Sequence, residues 1–322
     1  MNYNYLTPSP KQSKEAESPL KSQHFLIPLL CALIYIMNAL LVLLFRRISA
    51  DKTVSYTLIG IAEILAVAVP AMLYNSLRPK DECKTGFYFS ADKTSVVILT
   101  SIAMTFGAMA ISTLSAHIGL TGGKETVLEN VSLPALDARL GQMLYATVTV
   151  ALVPAVCEEF LCRVVIYREY EKYGPIAAIT VSAFAFAFLH FSLGKFPMYI
   201  FCGFLLGFLR MFTDSALAPI IAHFFYNAFA LFYHKFFGTL TEQLSEFTLV
   251  FFALLFLCLL FLSLAFGEAA RVFRAYYAKS NYAVRPSKET PHLPMAEGVI
   301  SCLKSPSLWL CVALYVFFSI VL

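Results

Sequence analysis

Two adjacent carboxylates, Glu158 and Glu159, lie in the stretch 150–166, which is otherwise mostly apolar. A charged side chain at bilayer depth costs roughly 2.5–3.5 kcal/mol on insertion scales, so both need partners or a water-filled cavity. On a helix, Glu159 shares a face with Arg163 four residues later, whereas Glu158 points about 100° away. We therefore expect Glu159 and Arg163 to form a structural ion pair, which leaves Glu158 free to act as a general base.

Three further polar residues lie in apolar segments downstream. His190 interrupts an aromatic run, and His223 precedes Asn227 by four residues, which places both on one face of a helix. Each could be a satisfied core residue, or a hydrogen-bonding link between helices. Beside an unpaired Glu158, they could instead position a water molecule and stabilise a developing oxyanion.

A pair of glycines, Gly203 and Gly207, lies between the two histidines in sequence. Glycines four residues apart give a helix a flat strip that another helix can approach closely. Their predicted role is architectural, because close packing would bring the polar helices together. Arg210, near the end of the same segment, is expected to extend to the cytoplasmic interface.

The elements that must position these residues are membrane helices. Hydrophobic residues make up 59% of the 322-residue chain and charged residues 14%, against about 25% in a typical soluble domain. Apolar runs long enough to cross a bilayer recur along the chain. The sequence predicts an all-α, polytopic bundle of about nine transmembrane helices, with eight as the alternative count. The predicted spans are 24–45, 55–77, 95–119, 141–166, 175–193, 196–213, 216–236, 246–268 and 306–322.

This pattern divides the chain into four parts. Residues 1–23 are expected to form a disordered cytoplasmic tail, residues 24–140 the N-terminal helices, residues 141–236 the core that carries the chemistry, and residues 237–322 the C-terminal helices with a polar loop at 279–305. If the N-terminus is cytoplasmic, 17 of the 24 Lys and Arg residues fall on the cytoplasmic side, which favours that orientation. We expect a multi-pass protein of the cell membrane that binds no nucleic acid; the sequence leaves its oligomeric state open.

The ordered motifs resemble those of a known family. Glu158-Glu159-x-x-x-Arg163, Phe186-x-x-x-His190 and His223-x-x-x-Asn227 look like the motifs of the CPBP intramembrane proteases, which include the CAAX prenyl endopeptidases and the Abi-type, bacteriocin-processing proteins. The glycines at 203 and 207 fit the family as well. The resemblance covers about 141–236, under a third of the chain.

The resemblance implies an intramembrane endopeptidase whose active site opens to the cytoplasmic side. Its substrate would be a peptide or a membrane-protein tail, either prenylated or bacteriocin-like. In that family's pattern, Glu158 activates a water with the help of His190, and Glu159 assists as the second acid, held by Arg163. His223 and Asn227 stabilise the oxyanion.

A metal is a separate question, because the family is commonly described as metalloproteases. Glu158, His190 and His223 could serve as zinc ligands. The His-Glu-x-x-His spacing that places two imidazoles and a base on one helical face is absent, however. We therefore favour a metal-free mechanism with no cofactor, and keep zinc as the alternative.

Two other functions compete with proteolysis. A proton-coupled transporter would use buried carboxylates and histidines as a relay, and outside the core only Glu63 and His117 lie well inside a span. A non-enzymatic scaffold would use the same polar cavity to bind a helix. The position of His190 is a test of the active site, because about fifteen residues into a span that starts at 175 it would lie near the far side of the membrane.

Overall fold

The computed structural model of this protein is mainly helical over the residues that it describes, which are 30–37, 40, 52–77, 86–120, 140–243, 246–279, 300, 303–304 and 306–321. This part of the chain contains nine helices and, apart from one isolated bridge between Gly86 and Ser215, no β-structure. The helices are α1 (30–37), α2 (52–77), α3 (Ala91–His117), α4 (140–173), α5 (Pro175–Phe188), α6 (Phe196–Thr213), α7 (Leu217–Gln243), α8 (Phe247–Lys279) and α9 (Pro306–Val321).

The all-α class is confirmed for the described residues, and the helices fit a membrane protein. Four are long and apolar enough to cross a membrane: Tyr56–Leu77, Ala91–His117, Phe196–Thr213 and Phe247–Tyr276. Three more are apolar but shorter: Pro175–Phe188, Leu217–Phe232 and Leu308–Ile320. The count of nine membrane crossings stays a prediction. The predicted tail 1–23 and most of the polar loop 279–305 lie outside the described residues.

Helix α4, which carries both glutamates, is continuous but contains two wider, π-helical turns at Thr147–Leu152 and Phe160–Ile166. The first of these turns directly precedes Val153 and Pro154. Proline cannot donate a hydrogen bond to the carbonyl four residues back, and its ring clashes with that carbonyl. The wider turn relieves the clash, so the helix is distorted near Pro154 and still continues to residue 173.

Helices α4 and α5 form an antiparallel hairpin about Gly174, whose φ of 95° is a conformation that glycine adopts most easily. Glu158 lies 16 residues before Gly174, and His190 lies 16 residues after it. At about 1.5 Å per residue, both side chains are therefore at a similar depth, some ~24 Å from the turn. The helix continues seven residues beyond the predicted span end at residue 166, so Glu158 lies as far from the turn as His190.

The two glycines of α6 bring this helix against α5. A Cβ atom added to Gly203 would lie 2.8 Å from the backbone Cα of Ala183, and one added to Gly207 would lie 3.0 Å from Cγ2 of Ile179. Ala183 and Ile179 are themselves four residues apart, so the flat strip of α6 contacts one face of α5. Gly203 and Gly207 therefore lie where α6 and α5 approach most closely, and their architectural role stays a prediction that this contact supports.

The expectation for Arg210 was wrong. Its side chain is only 3% exposed, and Nη1 lies 3.0 Å from Oδ1 of Asp214, which follows the end of α6. The guanidinium carbon also lies 5.2 Å from the centre of the Tyr167 ring. Since a partner carboxylate and an aromatic ring are both within reach, Arg210 is buried between them instead of extending into the interface.

Candidate active site

Glu159 is held by two partners in the interior of the bundle. One carboxylate oxygen, Oε2, lies 3.2 Å from Nε of Arg163 one turn later on α4, and the other, Oε1, lies 3.1 Å from Nδ1 of His223 on α7. Arg163 also donates from Nη2 to the carbonyl of Gly203 at 3.1 Å. The side chains of Glu159, Arg163 and His223 are 0%, 0% and 3% exposed. The predicted Glu159–Arg163 ion pair is present, and it joins α4, α6 and α7.

Glu158 lies beside His190 and, among the described residues, forms no ion pair with an arginine or lysine. Its Oε2 atom is buried and has no hydrogen-bond partner, and it lies 3.6 Å from Nε2 of His190. His190 donates from Nδ1 to the carbonyl of Phe186 at 2.9 Å, since a carbonyl can only accept. In the neutral imidazole, Nε2 then presents a lone pair towards Glu158. Two facing acceptors can be joined only by a shared proton or by a donor such as a water molecule.

The ring of Phe186 packs at the centre of both glutamate–histidine pairs. Its centroid lies 4.9 Å from the His190 ring, 5.3 Å from the His223 ring and 5.3 Å from the guanidinium carbon of Arg163. The ring of Tyr199 stacks on the ring of His190, with their centroids 3.7 Å apart. Phe186 therefore lies between the two histidines, and its supporting role stays a prediction.

The turn that carries His190 is braced from outside the core. Phe191 has a positive φ of 47°, an uncommon conformation for a residue with a side chain. Its ring packs against Tyr35 of α1 at 5.1 Å and Phe318 of α9 at 5.8 Å, and Tyr315 of α9 donates to the carbonyl of Ser192 at 2.8 Å. No signal in the sequence identified these aromatic residues, because they look like ordinary lipid-facing or core residues of apolar helices.

Asn227 is also a partner of α4, at a different point from the glutamates. Its Nδ2 atom donates to the carbonyl of Ala151 at 3.5 Å, within the wider turn that precedes Pro154. His223 and Asn227 were grouped in the sequence as two donors beside Glu158. The structure brings His223 to Glu159 and Asn227 to the α4 backbone, so this face of α7 is joined to α4 at two points.

His117 and Glu63, the two ionisable residues that kept a transporter as an alternative, lie in different environments in the structure. His117 is exposed at the end of α3, and its ring stacks on Phe247 with centroids 3.6 Å apart. Glu63 begins a wider turn of α2, and that turn packs against the segment Val153–Glu159. Glu63 is thus a third carboxylate near the site, which the predicted site did not include.

Among the residues that the structure describes, no three His, Cys, Asp or Glu side chains are grouped so that they could hold a metal ion. Of the three ligands named for zinc, His223 contacts Glu159 through Nδ1, which leaves its Nε2 atom for another partner, so zinc stays the alternative. The guanidinium of Arg163, next to Glu159, adds a positive charge on that side.

Comparison with known families gives a match to the same part of the chain. Residues 140–229, just over a quarter of the sequence, match the family model described as Rce1-like, type II CAAX prenyl endopeptidase. This segment contains all the residues of the three motifs, and the resemblance to the CPBP and CAAX proteases is confirmed by it. No curated protein and no solved structure matches the chain significantly.

Proposed function

We propose, from the membership of residues 140–229 in the Rce1-like CAAX protease family, that this protein is an intramembrane endopeptidase in which Glu158 activates the attacking water. The observation that carries the proposal is the contrast between the two glutamates. Glu159 is ion-paired with Arg163 at 3.2 Å and contacts His223 at 3.1 Å, whereas Glu158 pairs with no Arg or Lys among the described residues and faces the Nε2 atom of His190 at 3.6 Å.

In the proposed reaction, a water donates hydrogen bonds to Glu158 and to His190. Glu158 takes one proton as the water oxygen bonds to the carbonyl carbon of the scissile peptide, and the carbonyl π electrons move to its oxygen. When the oxyanion collapses, the C–N bond breaks and the proton passes from Glu158 to the leaving amine. The products are a new carboxyl terminus and a new amino terminus.

The oxyanion needs donors, and α7 provides candidates for them. His223 points its Nδ1 atom at Glu159, so its Nε2 atom is directed away from that pair. If His223 carries both protons, its Nε2–H is available to the oxyanion, and the Glu159 carboxylate then faces two cations, His223 and Arg163. Asn227 has a second amide hydrogen besides the one that it donates to Ala151. Glu159 would then act through His223, and Arg163 would hold Glu159 in place.

The access route that we propose is past His190. Its side chain is 20% exposed, against 9% for Glu158 and 3% or less for the Glu159 group. A peptide would therefore meet His190 first. We place this opening on the cytoplasmic side of the cell membrane, with the N-terminus on the same side, and we propose as substrate a membrane-associated peptide or protein tail.

The deciding experiment uses Glu158→Gln, which keeps size and hydrogen bonding and removes the base. Purified protein in proteoliposomes is incubated with a library of membrane peptides, each in prenylated and unprenylated form, and cleavage is read by mass spectrometry. We expect cleavage by the wild type, a loss of about 10²–10⁴-fold in Glu158→Gln, and full activity in Glu246→Gln, the same change at an exposed position. Equal activity of the wild type and Glu158→Gln would overturn the mechanism.

Whole membranes give the matching test of substrate. The membrane proteomes of cells with the wild type and with Glu158→Gln are compared for new termini. A set of termini that depends on Glu158 would identify the substrates. Identical proteomes, together with an inert peptide library, would favour the scaffold over the protease.

The metal-free step has its own measurement. Metal content of the purified protein is determined by mass spectrometry, and turnover is measured before and after exhaustive chelation. We expect no stoichiometric metal and unchanged turnover. Stoichiometric zinc whose removal abolishes turnover and whose return restores it would require a different mechanism.

A further inference from the structure

His190 lies just beyond the end of α5, where no regular helix fixes the direction of its side chain. The last residue of α5 is Phe188, and the backbone nitrogen of His190 bonds to the carbonyl of Ala187, three residues earlier, as in a turn. The residue that follows, Phe191, has a positive φ. The imidazole must keep one orientation in this connection, so its orientation depends on the side chains and carbonyls around it.

The His190 ring contacts one residue of its own helix and one of α6. Nδ1 donates to the carbonyl of Phe186 at 2.9 Å, and the Phe186 ring lies 4.9 Å away, tilted by 55°. The Tyr199 ring lies 3.7 Å away and within 23° of parallel. Phe186 and Tyr199 are 6.4 Å apart, so the three ring centres nearly form a right triangle at His190. Phe186 therefore packs beside the imidazole, and Tyr199 covers one of its faces.

Tyr199 lies on an element that is itself held in place. It belongs to the first turn of α6, and its neighbour Met198 is buried. The hydroxyls of Ser112 on α3 and Tyr226 on α7 lie 3.1 Å and 3.4 Å from the Met198 sulfur. A thioether is a weak acceptor, but the two contacts come from different helices. They fix the start of α6, and with it the ring of Tyr199, against the rest of the bundle.

We propose that Tyr199 is a positioning residue for His190. Its ring fixes the plane of the imidazole, and the Nδ1 bond to Phe186 selects one of the two orientations that the ring can adopt in this plane. Together they direct the Nε2 lone pair of His190 to Glu158, at 3.6 Å. No motif of the sequence includes Tyr199, because only the packing of α6 on the turn after α5 brings it there. The inference rests on the proposed function for its catalytic meaning, but the orientation of His190 can be measured without any turnover.

The direct test is nitrogen NMR of the protein in lipid at neutral pH, with isotope-labelled histidine rings. A protonated ring nitrogen and one with a lone pair resonate far apart, and the His190 signals are identified by their loss in His190→Gln. We expect a proton on Nδ1 only, in the wild type and in Tyr199→Phe, which keeps the ring. In Tyr199→Leu, both nitrogen shifts should move towards the average of two tautomers. Tyr88→Leu, the same change at an exposed position, should leave them unchanged.

Two NMR results would overturn the proposal. One is a His190 whose shifts are the same in Tyr199→Leu and the wild type. The other is a wild-type His190 that carries a proton on Nε2, since this nitrogen would then have no lone pair to present to Glu158.

A kinetic test then distinguishes positioning from packing. Tyr199→Phe should retain kcat within about twofold, whereas Tyr199→Leu should lower kcat about tenfold with KM unchanged. Thermal unfolding is measured on both variants, so that a loss of fold is recognised. Equal kcat in Tyr199→Leu and the wild type, a rise in KM alone, or an equal loss of kcat in both variants would refute the positioning role of the ring. If neither the wild type nor any variant cleaves a peptide, the proposed function fails, while the NMR result still decides how His190 is held.

Discussion

Glu159 with His223 and Glu158 with His190 are two acid–histidine pairs one residue apart on α4, and they differ in how completely the fold encloses them. In the first pair, the histidine nitrogen is 3.1 Å from the carboxylate, and Arg163 occupies the other oxygen. In the second pair, the distance is 3.6 Å and the histidine is 20% exposed. The first pair includes a buried cation, whereas the second pairs with no Arg or Lys among the described residues and leaves two acceptors facing each other.

The difference follows from helical geometry and not from residue type. Adjacent residues on a helix point about 100° apart, so one glutamate faces α7 and Arg163, and the other faces the turn after α5. Under the proposed function, the same two residue types serve structure in one direction and chemistry in the other. Variants that act on only one pair should therefore separate stability from turnover.

We call Glu159 with His223 the closed pair and Glu158 with His190 the open pair. The largest expected effect is on the closed pair. Arg163→Met removes the cation while leaving Glu159 and His223 buried, and breaking a buried pair in this way typically costs about 3–5 kcal/mol. We expect a large fall in Tm in detergent, or a failure to accumulate in the membrane. Arg271→Met is the matched control, because Arg271 pairs with Glu268 at an exposed position and its loss should leave Tm essentially unchanged. Equal Tm values for the two variants would contradict the structural role of Arg163.

The two histidines give the next test. His190→Gln should lower kcat about 10²-fold with little change in Tm, since His190 is partly exposed and assists the water. His223→Gln should lower both kcat and Tm, because His223 is buried against Glu159. The measurement is turnover and thermal unfolding on the same samples. If the two variants lose the same amount of stability, the distinction between an open and a closed pair is wrong.

The packing beneath the closed pair is tested by Gly203→Ala. The new methyl group would lie 2.8 Å from the Cα atom of Ala183, so the backbone must move, at a cost of about 1–3 kcal/mol. This movement would also displace the carbonyl that accepts from Arg163. Gly267→Ala provides the control, because nothing lies within 4 Å of its added Cβ and the fold should tolerate it. Thermal unfolding of both variants is the measurement, and a Gly203→Ala protein as stable as Gly267→Ala would refute the close approach.

The sequence was informative wherever a local rule decides the outcome. Spacing of four residues predicted the Glu159–Arg163 pair, and the two glycines predicted a close helix contact, since both follow from one helix's own periodicity. Helix boundaries were less well predicted: the end of α4 at residue 173 depends on the Gly174 turn, where polar residues still belong to the helix. The partners of His223 and Asn227, the approach of Glu63 and the burial of Arg210 depend on how separate helices pack, which periodicity alone does not determine.

The smallest expected effect concerns the turn of the open pair. Tyr315→Phe removes the hydroxyl that donates to the Ser192 carbonyl, two residues after His190, and a bond of this kind contributes about 0.5–1.5 kcal/mol. The ring remains against Phe188 and Phe196, so the helix stays packed. Because the lost bond fixes the His190 turn and not the Glu159 group, kcat should fall a few-fold while Tm changes little. Tyr88→Phe, at a site that is 78% exposed, is the control. Unchanged kcat in Tyr315→Phe would show that α9 does not brace the turn through this bond, and a large loss of Tm would show that it serves the closed core instead.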